Sequence, residues 1–326
     1  MTPQETTSPN RVVLTSKDVL GLEDLSADEI LGVLDVASHF RAVFDRPVRS
    51  VPIMRGRTVV NFFHEPSTRT RISFELAEQR LSADIINFAA ATSSFAKGET
   101  LRDTAENLAA MKIDMLIVRH SSPGAAAYLA RVLDCSVINA GDGAHEHPTQ
   151  GLLDIMSMRQ RLGDLRGKKV TIIGDISHSR VARSNIWGLT KLGAEVTLCG
   201  PPTMLPGSLA KLGVTIEYDL ERAVAEADVL NVLRIQLERH AGTSFPGNRE
   251  YHRMYGITAE VVRKLKPEAF IMHPGPMNRD VEIASEVADG PRQIILDQVA
   301  NGVAVRMALI YLLGGGDPRA IGGRSS

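Results

Sequence analysis

Residues 58–77 read Thr58-Val59-Val60-Asn61-Phe62-Phe63-His64-Glu65-Pro66-Ser67-Thr68-Arg69-Thr70-Arg71-Ile72-Ser73-Phe74-Glu75-Leu76-Ala77. The first six form a continuous apolar run of strand length, and the last six suit a helix. Between them, three hydroxyls and two guanidiniums crowd the point where a strand gives way to a helix. The first turn of a helix offers backbone N–H groups without partners and a partial positive charge. Two arginines and three hydroxyl donors added there make a phosphate-sized anion socket. An ordinary N-cap explains one hydroxyl, not the cluster.

The same alternation continues outward from this stretch. Strands are expected at 58–63, 84–88, 115–119 and 137–139, with helices at 68–82, 101–111, 125–133 and 148–162. The turn-rich block 162–169 interrupts the pattern. A second series then follows, with strands at 170–173, 196–199, 229–233 and 270–272 and helices at 180–192, 220–226 and 258–265. Short, continuous apolar strands belong to buried parallel sheets. The predicted fold is therefore α/β, with two domains, each a mainly parallel sheet flanked by helices. The expected division places the first domain at 11–150 and the second at 151–297. Ser26-Ala27-Asp28-Glu29 is a capping box opening a helix that runs to about Phe44. A last helix is expected at 298–313, closed by Gly314-Gly315-Gly316. Residues 236–256 read as a long connection rich in charge and histidine, and long connections are often functional.

Composition excludes several classes. The chain has 326 residues, with 37 Lys and Arg against 38 Asp and Glu, so nothing global favours nucleic acid or a membrane surface. No apolar run is expected to reach the roughly 18–20 residues that span a bilayer. The first ten residues lack the apolar core of a secretory signal. The two cysteines, Cys135 and Cys199, sit in or near apolar strands and form no metal-type pair. Buried thiols in a reducing, cytoplasmic compartment are the expectation.

Other segments carry weaker signals. Ala89 to Glu99 is small, polar and serine-rich with Lys97 near its end, either a loop that closes on an anion or a solvated one. Arg119-His120 ends the strand 115–119, where open parallel sheets bind ligands. In His145-Glu146-His147-Pro148-Thr149-Gln150, Pro148 suits a first helical position, so His147 and Gln150 flank a helix start. One can donate to a carbonyl while the other recognises an amide. A metal reading of His145 and His147 lacks a third ligand at a motif spacing. Gly174 to Arg180 follows a strand but lacks G-x-G-x-x-G, and the next strand ends without an acid for a ribose. Arg180 and Arg234-Ile235-Gln236, both past strand ends, suit a dianionic substrate. His273-Pro274-Gly275-Pro276 offers rigid backbone carbonyls to an NH2 group, or is a plain proline turn.

Taken in order, Ser67-Thr68-Arg69-Thr70-Arg71, Lys97-Gly98-Glu99, Arg119-His120, His147-Pro148-Thr149-Gln150, Arg180, Arg234-Ile235-Gln236 and His273-Pro274-Gly275-Pro276 resemble the aspartate carbamoyltransferase catalytic chains, within the aspartate/ornithine carbamoyltransferase superfamily. The resemblance covers nearly the whole chain. Ornithine enzymes typically carry His-Cys-Leu-Pro at the last motif and an Asp…Ser-Met-Gly motif, so His-Pro-Gly-Pro and Arg-Ile-Gln favour aspartate. Gly275 stands where some members carry leucine.

The resemblance implies transfer of a carbamoyl group from carbamoyl phosphate to the amine of L-aspartate in de novo pyrimidine biosynthesis. It implies that 11–150 binds carbamoyl phosphate, that 151–297 binds aspartate, and that the C-terminal helix packs back on the first domain. Catalytic roles fall to Arg69, Thr70 and His147. Carbamoyl phosphate would be held by Ser67, Thr68, Arg69, Thr70, Arg119, His147, Gln150, Gly275 and Pro276. Aspartate would be held by Lys97, Arg180, Arg234 and Gln236. A homotrimer with shared sites is implied, with Ser93 and Lys97 reaching into the neighbour's site. Glu65 would pair with arginines across the domain gap on closure. No metal and no organic cofactor is expected. The family leaves room for a regulatory chain or a dihydroorotase as a partner.

Overall fold

The computed structural model describes residues 14–89, 100–235 and 247–317. Helix α1 (Ala27–Val43) starts at the expected capping box: Ser26 accepts the Glu29 N–H, and the Glu29 carboxylate accepts back from Ser26. Strand β1 (Thr58–Phe63) leads into α2 (Thr68–Leu81), followed by β2 (Asp84–Ala89), α3 (Leu101–Ala110), β3 (Met115–His120), α4 (Ala125–Val132), β4 (Ser136–Asp142) and α5 (Pro148–Leu162). The second series is β5 (Lys169–Ile173), α6 (Arg180–Lys191), β6 (Glu195–Cys199), β7 (Thr215–Glu217), α7 (Leu220–Ala225), β8 (Val229–Val232), α8 (Asn248–Tyr255), α9 (Ala259–Arg263), β9 (Phe270–Met272), α10 (Ser285–Ala288) and α11 (Ile295–Leu313).

Two sheets form, ordered β2-β1-β3-β4 and β7-β6-β5-β8-β9, and every strand pair in them is parallel. β1 and β5 each have a later strand on either side. The order therefore switches beside them, and the crevice at the carboxyl ends of such strands is where open α/β sheets bind ligands. Every anion-binding candidate among the described residues lies there. Ser67 to Thr70 follow β1, Arg119 ends β3, Arg180 follows β5 and Arg234 follows β8.

The C-terminal helix returns to the first sheet's side. α11 packs on α1, α2 and α5, and its Ala304, Val305, Met307, Ala308, Leu309 and Ile310 are wholly buried. It begins at Ile295, earlier than the expected 298. By length and apolarity α11 could cross a bilayer, contrary to the expectation that no run was long enough. Its burial on several faces explains the composition: a helix apolar all round is a core helix. The expected long connection also needs correction, because residues 248–255 form α8 and bury Tyr251 and Tyr255. Charged residues dominate that helix, so apolar periodicity reveals little of it. β7 and α10 are too short to show a period. Cys199 is buried as expected, whereas Cys135 is half-buried.

One core group carries a stability prediction. Glu78 on α2 is fully buried, and its Oε2 accepts from Asn61 Nδ2 of β1 at 2.9 Å. Burial pushes its carboxyl up to about 8, with Asn61 opposing and Glu75 adding to the rise. The native state then holds a proton that the unfolded chain releases near pH 4.3. Stability is full at acid pH and falls as pH rises from there to about 8. Glu78→Gln mimics the protonated form. It is expected to raise stability on the order of 3 kcal/mol at pH 8.5 and to change little at pH 4.5. Melting curves at the two pH values check this; an equal effect at both refutes it.

Candidate active site

Ser67 to Arg71 stand where β1 gives way to α2, as expected. Ser67 is the N-cap of α2 in an extended conformation, yet its side chain caps no backbone N–H; its Oγ instead donates to Thr70 Oγ1 at 3.0 Å. The first turn of α2 therefore keeps its N–H groups for another acceptor. Thr70 is buried, while Thr68 and Arg69 are exposed. The two arginines of the motif part company. Arg71 pairs outward with Glu75 one turn along, at 3.4 Å. Arg69 turns to the second sheet's side: a Cβ on Gly275 would lie 3.0 Å from its Cζ. Gly275 has φ +62°, so both conformation and space favour glycine there. Leucine would meet the guanidinium. Among the described residues no carboxylate pairs with Arg69. Although the residue as a whole is exposed, partial loss of water around the guanidinium, then repulsion from Arg234, holds it below its ordinary value.

Arg119 and Arg180 meet on one carboxylate. Glu65 Oε1 accepts from Arg119 Nη2 at 2.7 Å and Arg180 Nη2 at 2.6 Å, and Oε2 accepts from Arg180 Nη1 at 2.9 Å. Arg119 also donates to the Ala140 carbonyl and Arg180 to that of Gly143. Gly141 makes room for both: a Cβ there would stand 3.0 Å from Arg119 Nη1 and 3.1 Å from Arg180 Nε. Glu65 thus links an arginine of the first sheet to one that opens α6. The pairing expected on closure is already present here, and Arg180 spends its charge on Glu65.

His147 is the N-cap of α5, with Pro148 at the first helical position as expected. Its N–H donates to Ser184 Oγ at 2.9 Å, tying it to α6. The ring is buried, and burial, then Arg119, Arg180 and Arg306, hold its pKa well below the ordinary histidine value. It is neutral at physiological pH. Arg306 of α11 donates to Thr149 Oγ1 at 3.3 Å, and that oxygen lies 3.4 Å from His147 Nδ1. A guanidinium only donates, which leaves the threonine proton for Nδ1. This network assigns the ring proton to Nε2, a donor suited to a carbonyl oxygen. Gln150 donates its NH2 to Asp154 Oδ1 at 2.9 Å. Gly275 donates its N–H to His273 Nδ1 at 2.8 Å.

Ser93, Lys97 and Gln236 lie outside the described residues. Glu23, His145 and Glu146 bring ligand atoms within 4.8 Å of one another, so a third donor does lie near His145, although sequence spacing hid it. Glu146 is already committed: it accepts from the Leu22 and Glu23 N–H groups and from Ser184 Oγ. Arg306 and Asp154 were not anticipated. A lone arginine or aspartate inside an apolar helix was the available signal.

Residues 17–160 match the aspartate/ornithine carbamoyltransferase carbamoyl-P binding domain, and residues 166–313 match the Asp/Orn binding domain. The chain belongs to the aspartate/ornithine carbamoyltransferase family. It is 59% identical over 302 residues to the aspartate carbamoyltransferase catalytic subunit of Gemmatimonas aurantiaca, covering 93% of this chain and 95% of that one. Among solved structures it is similar to the Trypanosoma cruzi aspartate transcarbamoylase in complex with carbamoyl phosphate, at TM-score 0.80 and 29% identity over 90% of this chain and 95% of that one. The ornithine carbamoyltransferase from Pyrococcus furiosus is alike at TM-score 0.82 and 29% identity, covering 94% and 99%. Fold alone therefore does not separate the two acceptors within this family.

Proposed function

We propose that this family member is an aspartate carbamoyltransferase catalytic chain, transferring the carbamoyl group of carbamoyl phosphate to L-aspartate in pyrimidine biosynthesis. The observation that carries the reading is Arg69, beside Gly275, set against Arg234, with no carboxylate pairing Arg69 among the described residues. Arg69 and Arg234 repel each other, and an anion bound at Arg69 would relieve that repulsion.

In this reading Ser67, Thr68, Arg69, Thr70 and Arg119 hold the phosphate, together with the free N–H groups of α2. The aspartate amine attacks the carbonyl carbon, an oxyanion forms, and phosphate leaves. Arg69, Thr70 and the Nε2–H of His147 stabilise that oxyanion. Gln150 Oε1 and the carbonyls near Gly275 and Pro276 accept from the carbamoyl NH2. Arg180, Arg234 and Gln236 grip the aspartate carboxylates, Arg180 exchanging Glu65 for substrate. His147 is neutral but aimed as a donor, so the departing phosphate takes the amine proton. Positioning supplies most of the rate.

Arginine rather than an acid at 234 favours a dicarboxylate acceptor over ornithine. A product assay offering carbamoyl phosphate with aspartate or with ornithine tests this: N-carbamoyl-L-aspartate is expected, and citrulline would overturn the choice of acceptor. Tight binding without either product would mark a non-catalytic member. The reading also includes a cytoplasmic homotrimer in which Ser93 and Lys97 complete the neighbour's site. Inactive Lys97→Ala and Arg69→Ala subunits, unfolded and refolded together, are then expected to regain roughly a quarter to a third of wild-type activity, since some mixed interfaces contribute both intact residues. No recovery would refute shared sites.

A further inference from the structure

Behind the site, one buried carboxylate joins the elements that face the carbamoyl NH2. Asp154 lies one turn beyond Gln150 on α5 and is fully buried. Its Oδ1 accepts from Gln150 Nε2 at 2.9 Å and from Gln298 Nε2 at 2.8 Å. Its Oδ2 accepts from Asn185 Nδ2 at 2.8 Å and Asn231 Nδ2 at 3.4 Å. A carboxylate offers about four acceptor positions, and amide groups take them all. Among the described residues no lysine or arginine pairs with it. The chain continues through Gln298, whose Oε1 accepts the His273 N–H at 3.0 Å. His273 Nδ1 in turn accepts the Gly275 N–H. Gln150 and, through Gln298, the 273–276 turn therefore hang on one oxygen of one carboxylate.

The chemistry of that carboxylate decides which way Gln150 points. A side-chain amide can present oxygen or NH2 to a ligand with little change of shape. An ionised carboxylate only accepts, so it takes the NH2 and leaves Oε1 for the other side. Oxygen is what an N–H donor requires. We propose that Asp154 is a positioning residue for the carbamoyl NH2: it fixes the Gln150 amide and, through Gln298, the 273–276 turn, so that acceptors face carbamoyl phosphate. This rests on the carbamoyl phosphate reading above. Burial raises the Asp154 carboxyl to about 6 while the four amides oppose the rise, so it stays largely ionised at neutral pH.

The test compares binding of carbamoyl phosphate and acetyl phosphate, which puts a methyl where the NH2 stands. Calorimetric titrations use the whole protein, wild type and the variants Asp154→Ala and Gln298→Met, with a melting temperature for each. Wild type is expected to prefer carbamoyl phosphate by about tenfold or more. Asp154→Ala removes both acceptor oxygens, so the Gln150 NH2 loses its anchor and Oε1 is no longer held toward the ligand. Carbamoyl phosphate affinity is expected to fall about tenfold, while acetyl phosphate stays within about threefold. Gln298→Met releases the turn and takes one amide donor from Asp154 while leaving Gln150 on it, and should lower the preference about threefold. A merely structural role would weaken both ligands equally. Equal losses in Asp154→Ala, or an unchanged preference in Gln298→Met should the first variant not fold, overturn the proposal. A wild type that fails to bind carbamoyl phosphate overturns the underlying reading instead.

Discussion

Arg69→Ala is expected to lower kcat by about 10²–10³-fold, the usual loss for a donor aimed at a developing oxyanion. The same substitution is expected to leave the fold intact and the melting temperature unchanged or slightly raised. Arg69 is exposed, meets no carboxylate among the described residues, and is repelled by Arg234. Removing it relieves that repulsion in the ligand-free protein and breaks no ion pair among the described residues. Opposite signs on stability and turnover mark a residue kept for its ligand. Steady-state rates and a melting curve on one preparation check both. Near-normal kcat would remove Arg69 from the chemistry. Lost turnover with a large drop in melting temperature would make its role structural.

Local signals made this site readable. Capping chemistry, strand-length apolar runs and a proline at a helix start are set by neighbours in sequence, and α1, β1, α2 and α5 follow them. Arg69, Arg119, Arg180 and Arg234 were found because each stands at a strand end or helix start. What they pair with was not readable from spacing alone. Glu65 meets Arg180 across 115 residues of sequence, and Gln298 meets Asp154 across 144. The sole early sign of the first pairing was family resemblance. Arg306 and Asp154 are lone charges among apolar helix neighbours, and sequence alone does not say what they meet once tertiary packing covers them. Burial then turns each into a constraint: Arg306 falls to about 9, through burial and the nearby Arg119, and Asp154 rises to about 6, through burial. α8 escaped for the opposite reason, because its contacts come from two tyrosines in a charged segment.

Glu65→Gln tests how the two halves of the cleft are held before substrate arrives. One carboxylate now neutralises two guanidiniums whose side chains are 9% and 7% exposed, so its own charge is the internal anion of the site. Glutamine keeps the shape and removes the charge, leaving two buried cations side by side. Breaking a buried pair by removing one partner costs about 3–5 kcal/mol. At this chain length that corresponds to a fall in melting temperature of roughly 5–10 °C. An external anion should then replace the missing charge. Inorganic phosphate is expected to raise the melting temperature of the variant by more than it raises that of wild type, since binding restores what the substitution took away and the Glu65 carboxylate no longer competes for the arginines. Catalysis is expected to suffer despite tighter phosphate binding, because phosphate held by both arginines occupies the place of the aspartate carboxylate. If the variant melts like wild type and gains no more from phosphate, Glu65 is only one of several anions on Arg119 and Arg180. The cleft would then owe its register to the packing of α11 and α5 rather than to this ion triad.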